Sequence, residues 1–197
     1  MSGPTPPRAE DGVFTMTASA TIDAPVEKVW NVLLDFPSYP EWNPFVRSQV
    51  VVDAANKPLD DQTPKLGSTL ILTVNIPPGK DGESHPQKSH EIVTLVDHEN
   101  HRVAWRYASL PNWLLNAERW QSISLSDDGK AKYDTVEVFG GPVAYLVKWI
   151  TGKDLKKSFD AFADALKKRG LPTNACYMSV IIQYIAEHYY LFCKSPV

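Results

Sequence analysis

The chain has 197 residues, of which 43% are hydrophobic and 22% are charged, and its formal net charge is -3. This composition is typical of a soluble globular protein with one domain plus tails. The absence of a basic excess argues against a nucleic-acid partner. Both cysteines, Cys176 and Cys193, lie close to the C-terminus. They provide no disulfide framework and predict a reducing, cytoplasmic location.

The chain opens with a polar segment and a first strand. Residues 1–12 are rich in proline and contain no apolar run of the signal-peptide kind, so they predict a disordered leader. Residues 14–22 then alternate between polar and apolar side chains, which predicts a strand.

A short amphipathic helix is expected next. Asp23 stands at the N-cap position, and Pro25 is tolerated in the first turn because that turn has free amides. The apolar stripe that follows consists of Val26, Val29, Trp30, Leu33 and Leu34. This spacing of apolar residues predicts a helix with one buried face.

An aromatic loop follows this helix. Pro37 and Pro40 should stop further helix and leave the aromatic side chains on a stiff, irregular segment. The residues of this loop that we predict to bind a ligand are Tyr39, Trp42, Asn43 and Phe45. They suit the rim of an apolar pocket, and the alternative is that they close one end of a core.

The middle of the chain reads as a series of antiparallel strands. The segments with strand character are residues 45–55, 68–76, 89–96, 102–108, 117–125 and 132–139. The turn at Asp128-Gly129 is a strong hairpin signal. Together with the first strand they predict an α+β fold, a curved seven-stranded antiparallel sheet that wraps around a long helix.

That long helix should begin after Gly140-Gly141-Pro142. Its apolar stripe is formed by Leu155, Phe159, Phe162 and Leu166. Gly152 marks a bend or break between an aromatic front half and this amphipathic rear half.

The tail, residues 171–197, contains a second apolar stripe at helical spacing, from Tyr177 to Phe192. The run is too short and too polar for a transmembrane segment. It predicts an extra amphipathic helix, packed either on its own domain or on a second copy in a homodimer.

Several segments resemble the START-like, or SRPBCC, superfamily with the Bet v 1-type fold, and in particular its polyketide cyclase/dehydrase-like group. The similar segments are IDAPVEKVWNVLLDFPSYPEWNPFV (22–46), IPPGK (76–80), VTLVDHENHRVAWRY (93–107), Glu118-Arg119 and EVFGGPVAYLV (137–147). Arg119 stands where the family usually has histidine. The resemblance covers roughly residues 14–169, and we assign the ligand-binding domain to residues 13–170.

The resemblance implies a helix-grip fold with a hydrophobic cavity between sheet and helix, a usual place for a ligand. Further residues expected to line it are Trp105, Tyr107, Trp120, Tyr145 and Trp149. Each of these aromatic residues could equally belong to a plain core.

The candidate catalytic residues are Glu137, Glu118, Arg119 and Arg106. A carboxyl group facing inward among aromatic rings would have a raised pKa and suit general acid or base catalysis. An arginine could pair with that carboxylate or polarise a substrate oxygen. The alternative is an ordinary set of ion pairs on a solvated sheet face.

The sequence therefore supports two alternative functions. The first is a cofactor-independent cyclase or dehydratase acting on a hydrophobic secondary-metabolite intermediate, with a carboxyl group moving a proton. The second is a non-catalytic carrier or sensor of a lipid, sterol or quinone. Polar groups inside the cavity favour the first function, and a purely apolar lining favours the second. The scattered histidines and the lack of a glycine-rich phosphate motif predict neither a metal nor a cofactor.

Overall fold

The computed structural model describes residues 4–79 and 86–171. The C-terminal helix predicted for residues 171–197 lies almost wholly outside this range, as does most of the predicted hairpin loop before residue 86. Within the range, the chain folds into the predicted curved antiparallel sheet of seven strands with one long helix. The expected helix-grip architecture is therefore confirmed.

The first strand and helix form where the sequence predicts them. Strand β1 spans Phe14–Ile22 and helix α1 spans Val26–Leu34. The predicted cap differs, because Pro25 is the N-cap residue of α1 and the described contacts contain no capping bond from Asp23. A turn of 3-10 helix at Phe36–Ser38 and a short helix α2 at Tyr39–Trp42 occupy the expected irregular loop. Proline is compatible with the first turn of such short helices, so Pro37 and Pro40 start turns here instead of only ending them.

Six further strands complete the sheet. They are β2 (Val46–Val52), β3 (Thr69–Asn75), β4 (Pro86–Asp97), β5 (Arg102–Tyr107), β6 (Asn116–Leu125) and β7 (Ala131–Gly140). The order across the sheet is β1-β7-β6-β5-β4-β3-β2. Strands β2 to β7 therefore lie side by side in chain order, and β1 pairs with β7 at the far side. Every neighbouring pair is antiparallel. Irregularities after Val46 and after Val93 shift the register in β2 and β4.

Helix α3 runs from Pro142 to Gly170 without a break. The break that the sequence allowed at Gly152 is therefore absent, and Gly152 lies within the helix close to Met16 of β1. The predicted apolar stripe of α3, from Leu155 to Leu166, is buried against the inner face of the sheet. The rear half of the helix thus fills the core, and the front half extends over the remaining space beneath the sheet.

The start of α3 is held by a glycine that no other residue can replace without strain. Gly141 has φ 85° and ψ 166°, a conformation that is essentially restricted to glycine. A Cβ at this position would lie 2.6 Å from the carbonyl oxygen of Leu114. The same oxygen accepts a hydrogen bond from the backbone N–H of Val143 at 3.1 Å, which ties the helix start to the segment before β6.

We therefore expect Gly141→Ala to lower the free energy of unfolding by about 2–3 kcal/mol, since it combines backbone strain with a clash. Gly129→Ala is the matched control, because Gly129 has a similar φ of 79° but open space around its Cα. That control should cost only about 1 kcal/mol. Urea denaturation of both variants measures the difference, and equal losses would show that the contact with Leu114 contributes nothing.

Candidate active site

A cavity of about 250 Å³ lies between the inner face of the sheet and the front half of α3. Its lining residues are Phe45, Val46, Leu72, Val74, Ile76, Gln87, Lys88, Ser89, Glu91, Trp105, Tyr107, Leu115, Ala117, Arg119, Glu137, Phe139, Val147, Thr151 and Leu155. Gln87 and Lys88 are exposed and mark the rim, where the cavity meets solvent. The interior is largely apolar and aromatic, with the charged groups of Glu91, Arg119 and Glu137 in its wall.

Strand pairing brings these charged side chains onto one surface. Arg119 of β6 lies directly opposite Glu137 of β7, and Trp105 of β5 lies opposite Arg119 on its other side. Glu91 of β4 lies opposite Tyr107 of β5. Since alternate residues of a strand share one face, all five side chains point into the concave side of the sheet.

Arg119 carries a buried positive charge at the inner end of the cavity. Only 4% of its surface is exposed. Its guanidinium carbon lies 4.3 Å from the ring centroid of Phe159, 4.9 Å from that of Phe162 and 5.5 Å from that of Phe45. Such contacts stabilise a desolvated cation through the negative faces of the aromatic rings.

Two hydroxyl groups hold the guanidinium in place. Nε of Arg119 donates to Oγ1 of Thr135 at 3.2 Å, and Nη2 donates to the Tyr133 hydroxyl at 3.4 Å. That hydroxyl in turn donates to Oε1 of Gln121 at 2.7 Å. Among the described residues no carboxylate lies within ion-pair distance of Arg119. Its charge therefore acts on the cavity without being neutralised by a salt bridge.

The two carboxyl groups in the wall are poised to hold protons near neutral pH. Burial raises the pKa of Glu137 to about 8; the neighbouring charge of Glu91 adds to this rise and that of Arg119 opposes it. Burial also raises the pKa of Glu91 to about 7, against the lowering effects of Arg119 and of a hydrogen bond from Ser89 Oγ at 3.0 Å. Because two like charges this close disfavour each other, the pair favours one ionised and one protonated carboxyl.

Five of the sequence-predicted site residues meet in this cavity. They are Phe45, Trp105, Tyr107, Arg119 and Glu137. They come from the residue that precedes β2 and from the three consecutive strands β5, β6 and β7, so the fold assembles them from distant parts of the chain. Their roles in binding or chemistry stay predictions.

The structure places Glu118 and Arg106 on the opposite, convex face of the sheet. Each lies between two residues that line the cavity, and strand alternation turns it outward. Glu118 accepts a hydrogen bond from Thr94 Oγ1 at 2.6 Å, and Arg106 lies opposite Glu118 in the register. Neither side chain reaches the cavity.

Three residues of the predicted aromatic loop support the core instead of lining the cavity. Tyr39 is fully buried, and its hydroxyl donates a hydrogen bond to the backbone oxygen of Leu33 at 2.6 Å.

The other two residues of the loop are also held by contacts outside the cavity. Asn43 is buried, and its side-chain oxygen accepts hydrogen bonds from the backbone N–H groups of Phe45 and Val46. Trp42 packs edge-on against Phe162 with ring centroids 5.7 Å apart.

Three other predicted lining residues also lie outside the cavity. Trp120 belongs to the convex face, in a depression that Pro6 of the N-terminal segment also lines. Tyr145 and Trp149 are on the outer side of α3, with 67% and 82% of their surfaces exposed. The physical reason is the helix period, because the inner side of these same turns is formed by Val147 and Thr151.

Glu91 is a cavity-lining carboxyl group that the sequence analysis does not include among its candidates. Glu91 lies two residues before Val93 on β4, so the two side chains share one face of the sheet. Val93 is buried, and this face is therefore the inner one. The neighbouring Ile92 is apolar as well, so alternation alone could not decide which face is buried. In β7 the alternation predicts the inner face more clearly. Glu137 shares one face of the strand with the aromatic residues Tyr133 and Phe139.

Comparison with known proteins agrees with this architecture. Residues 13–170 match the family described as polyketide cyclase / dehydrase and lipid transport. The chain therefore belongs to this family. A curated relative from Penicillium oxalicum, named oxopyrrolidines biosynthesis cluster protein O, is 28% identical over 174 residues, covering 79% of this chain and 86% of its own.

Solved structures share the fold at low sequence identity. A hypothetical protein from Helicobacter pylori superposes with a TM-score of 0.65 and 13% identity, covering 86% of this chain and 99% of its own. The Zhui aromatase/cyclase of a Streptomyces species has a TM-score of 0.54 and 13% identity, covering 79% and 94%. A START superfamily protein from Mycobacterium smegmatis gives 0.50 and 19%, covering 79% and 96%.

The described part of the chain contains neither a metal-binding cluster nor a membrane-spanning helix. No cluster of three histidine, cysteine or acidic side chains is arranged to bind a metal ion among residues 4–79 and 86–171. None of the helices described there combines the length and the apolar character needed to cross a bilayer.

The raised pKa values make stability depend on pH. Glu137 binds its proton more tightly in the folded state than at its ordinary pKa of 4.5, so folding becomes less favourable as the pH rises from about 4.5 through 8. We expect Glu137→Gln to remove part of this loss, with a gain over wild type of about 1 kcal/mol at pH 9, or roughly 2–4 °C in Tm.

Thermal melts between pH 5 and pH 9 test this expectation. Glu118→Gln is the matched control, because it removes a carboxyl of the same type from the convex face, and it should keep the wild-type slope. Parallel curves for wild type and Glu137→Gln would show that Glu137 does not hold its proton near neutral pH.

Proposed function

We propose that this protein acts as a polyketide cyclase-like enzyme, which binds a small intermediate of secondary metabolism in the cavity and promotes its cyclisation by proton transfer. The observation that carries the proposal is the pair Glu91 and Glu137 beside the unneutralised cation of Arg119. An acid, a base and a positive charge around one apolar space are the groups that aldol-type ring closure needs.

In the proposed reaction, ionised Glu91 removes a proton from a carbon next to a substrate carbonyl. The electron pair of that C–H bond moves into an enolate, and the cation of Arg119 stabilises the enolate oxygen. The enolate carbon attacks a second carbonyl of the same molecule and forms the new C–C bond. Protonated Glu137 donates its proton to the oxygen of that second carbonyl, which becomes a hydroxyl group.

The cycle balances without an external reagent. Glu91 ends with the proton taken from carbon, and Glu137 ends ionised, so one proton passed between the carboxyl groups restores the starting state. A second round of the same transfers would expel the hydroxyl group as water and leave a double bond. The aromatic wall holds the flexible chain folded for ring closure, which can account for much of the rate.

The polar interior supports this enzyme over a passive carrier. A carrier of a lipid, sterol or quinone gains affinity from apolar contacts. Burying the charge of Arg119 has a desolvation cost, and the charge adds nothing to such contacts. The volume of about 250 Å³ also lies below the roughly 300–1,000 Å³ of typical ligand pockets. A small, folded molecule suits this space better than an extended lipid.

The relative from Penicillium oxalicum adds independent support. Its name assigns it to a biosynthesis cluster for oxopyrrolidines, which are small cyclic carbonyl compounds. We infer a comparable place in secondary metabolism for this chain. The cytoplasmic location stays a prediction from the sequence.

Glu137→Gln should keep the fold and the affinity for a ligand but lower turnover by roughly 10²-fold, because it removes the donated proton. Glu91→Gln should lower turnover to a similar extent by removing the base. Glu118→Gln, with its side chain on the convex face, should retain turnover. Full activity of Glu137→Gln, or a loss confined to Glu118→Gln, would contradict the assigned roles.

The assay can use a model substrate. A short linear diketone with three methylene groups between its carbonyls closes to a six-membered cyclic enone with loss of water, and the enone is followed by its ultraviolet absorbance. We expect wild type to accelerate closure over buffer and over Glu137→Gln. Binding of the diketone, seen by calorimetry, with equal closure rates in all samples would favour the carrier. Native mass spectrometry of ligands that co-purify from the original host complements the assay.

A further inference from the structure

The outer side of α3 carries an exposed apolar cluster, which we call the α3 patch. It consists of Tyr145, Leu146, Trp149 and Ile150, with exposed fractions of 67%, 52%, 82% and 62%. These residues occupy two successive turns of the helix and form one surface. Single exposed apolar residues are ordinary, but a contiguous aromatic cluster of this kind marks a binding surface.

We propose that the C-terminal segment, residues 172–197, packs on the α3 patch of its own chain. The composition of the segment supports this. It contains only two residues with a full charge, Glu187 and Lys194, and its apolar residues recur from Tyr177 to Phe192. Such a segment gains free energy by leaving water, as does the patch.

The length of the segment is sufficient for this contact. The segment follows directly on the end of α3, and Trp149 lies about 31 Å back along the helix axis from Gly170, at 1.5 Å per residue. Residues 172–197 would span about 39 Å even at the rise of a helix, and more if extended. The segment therefore reaches the α3 patch in either conformation.

A second depression lies near the C-terminal end of α3. Its lining mixes apolar and charged residues, which are Pro40, Glu41, Trp42, Pro44, Arg47, Ala161, Asp164, Ala165, Lys168 and Arg169. The small side chains of Ala161 and Ala165 leave room for another element to approach the helix closely.

An intramolecular contact is favoured over a second copy by effective concentration. Because the segment is tethered to the same helix, its local concentration at the α3 patch is in the millimolar range, far above that of a separate chain. Two exposed lysines, Lys148 and Lys153, border the α3 patch, and no salt bridge engages either of them among the described residues. They would also suit an anionic lipid surface, so the test must separate these occupants.

The contact would have a structural consequence for the cavity. Val147, Thr151 and Leu155 on the inner side of the same helical turns line the cavity. The segment would therefore back this part of the cavity wall from outside.

Site-specific photocrosslinking in the full-length protein tests the proposal. Trp149 is replaced by the photoreactive residue p-benzoylphenylalanine, which is also aromatic and should be tolerated because the side chain is exposed. The matched control carries the same residue at Leu66, which is 74% exposed in the turn before β3. After irradiation of the purified protein, adducts are mapped by peptide mass spectrometry, and circular dichroism verifies the fold of both variants.

We expect the Trp149 variant to give a monomeric product in which position 149 is joined to a peptide from residues 172–197, at least 10-fold above the Leu66 control. A product of twice the mass, joined between two chains, would overturn the proposal in favour of a second copy. The absence of any protein adduct would also overturn it, since the α3 patch would then be open to solvent or available to a lipid surface.

Discussion

The buried positive charge of Arg119 is the constraint on which this structure depends. Moving a cation out of water costs several kcal/mol even after relaxation. Three phenylalanine rings and two hydroxyl groups surround it, and cation–π contacts and charged hydrogen bonds contribute about 1–3 kcal/mol each. Phe159 and Phe162 of α3 therefore have two roles, since they fill the core and also solvate the charge.

The same charge organises the cavity. Because Glu137 lies across the strand pair and Glu91 lies farther along the sheet, both carboxyl groups experience the cation and also each other. Burial raises the pKa of both groups, and Arg119 limits the rise. The balance places both groups near neutrality, where one carboxyl can accept a proton while the other donates one. A purely apolar cavity would hold a ligand but would offer no such exchange.

The sequence predicted the architecture well because the fold follows from strong local patterns. Strand β1 and the apolar stripe of α3 have clear periods of two and of 3.6 residues, and the turn at Asp128-Gly129 is a hairpin signal. The site was predicted only in part. Of the predicted residues, Glu137 and Arg119 line the cavity, whereas Glu118 lies on the opposite face. Sequence neighbours on a strand point to opposite faces, and which of them faces inward depends on the whole sheet. Glu91 was missed for the same reason.

The errors around α3 have a different cause. Tyr145 and Trp149 suggested a cavity lining because aromatic residues are usually buried, yet the helix directs them outward. A pattern within one helix shows which residues share a face, but it does not show what covers that face. The covering element has to be sought elsewhere in the chain, and we propose the apolar C-terminal segment for this role.

A direct titration tests whether Glu91 and Glu137 exchange protons near neutral pH beside Arg119. Carboxyl groups labelled with carbon-13 at glutamate can be followed by NMR between pH 4 and pH 10, with Glu91→Gln and Glu137→Gln used to assign the two signals. We expect these two glutamates to titrate with apparent pKa values of about 7 and about 8. Apparent pKa values near 4.5 for both would mean that the cavity does not hold its protons, and the proposed acid–base chemistry would be contradicted.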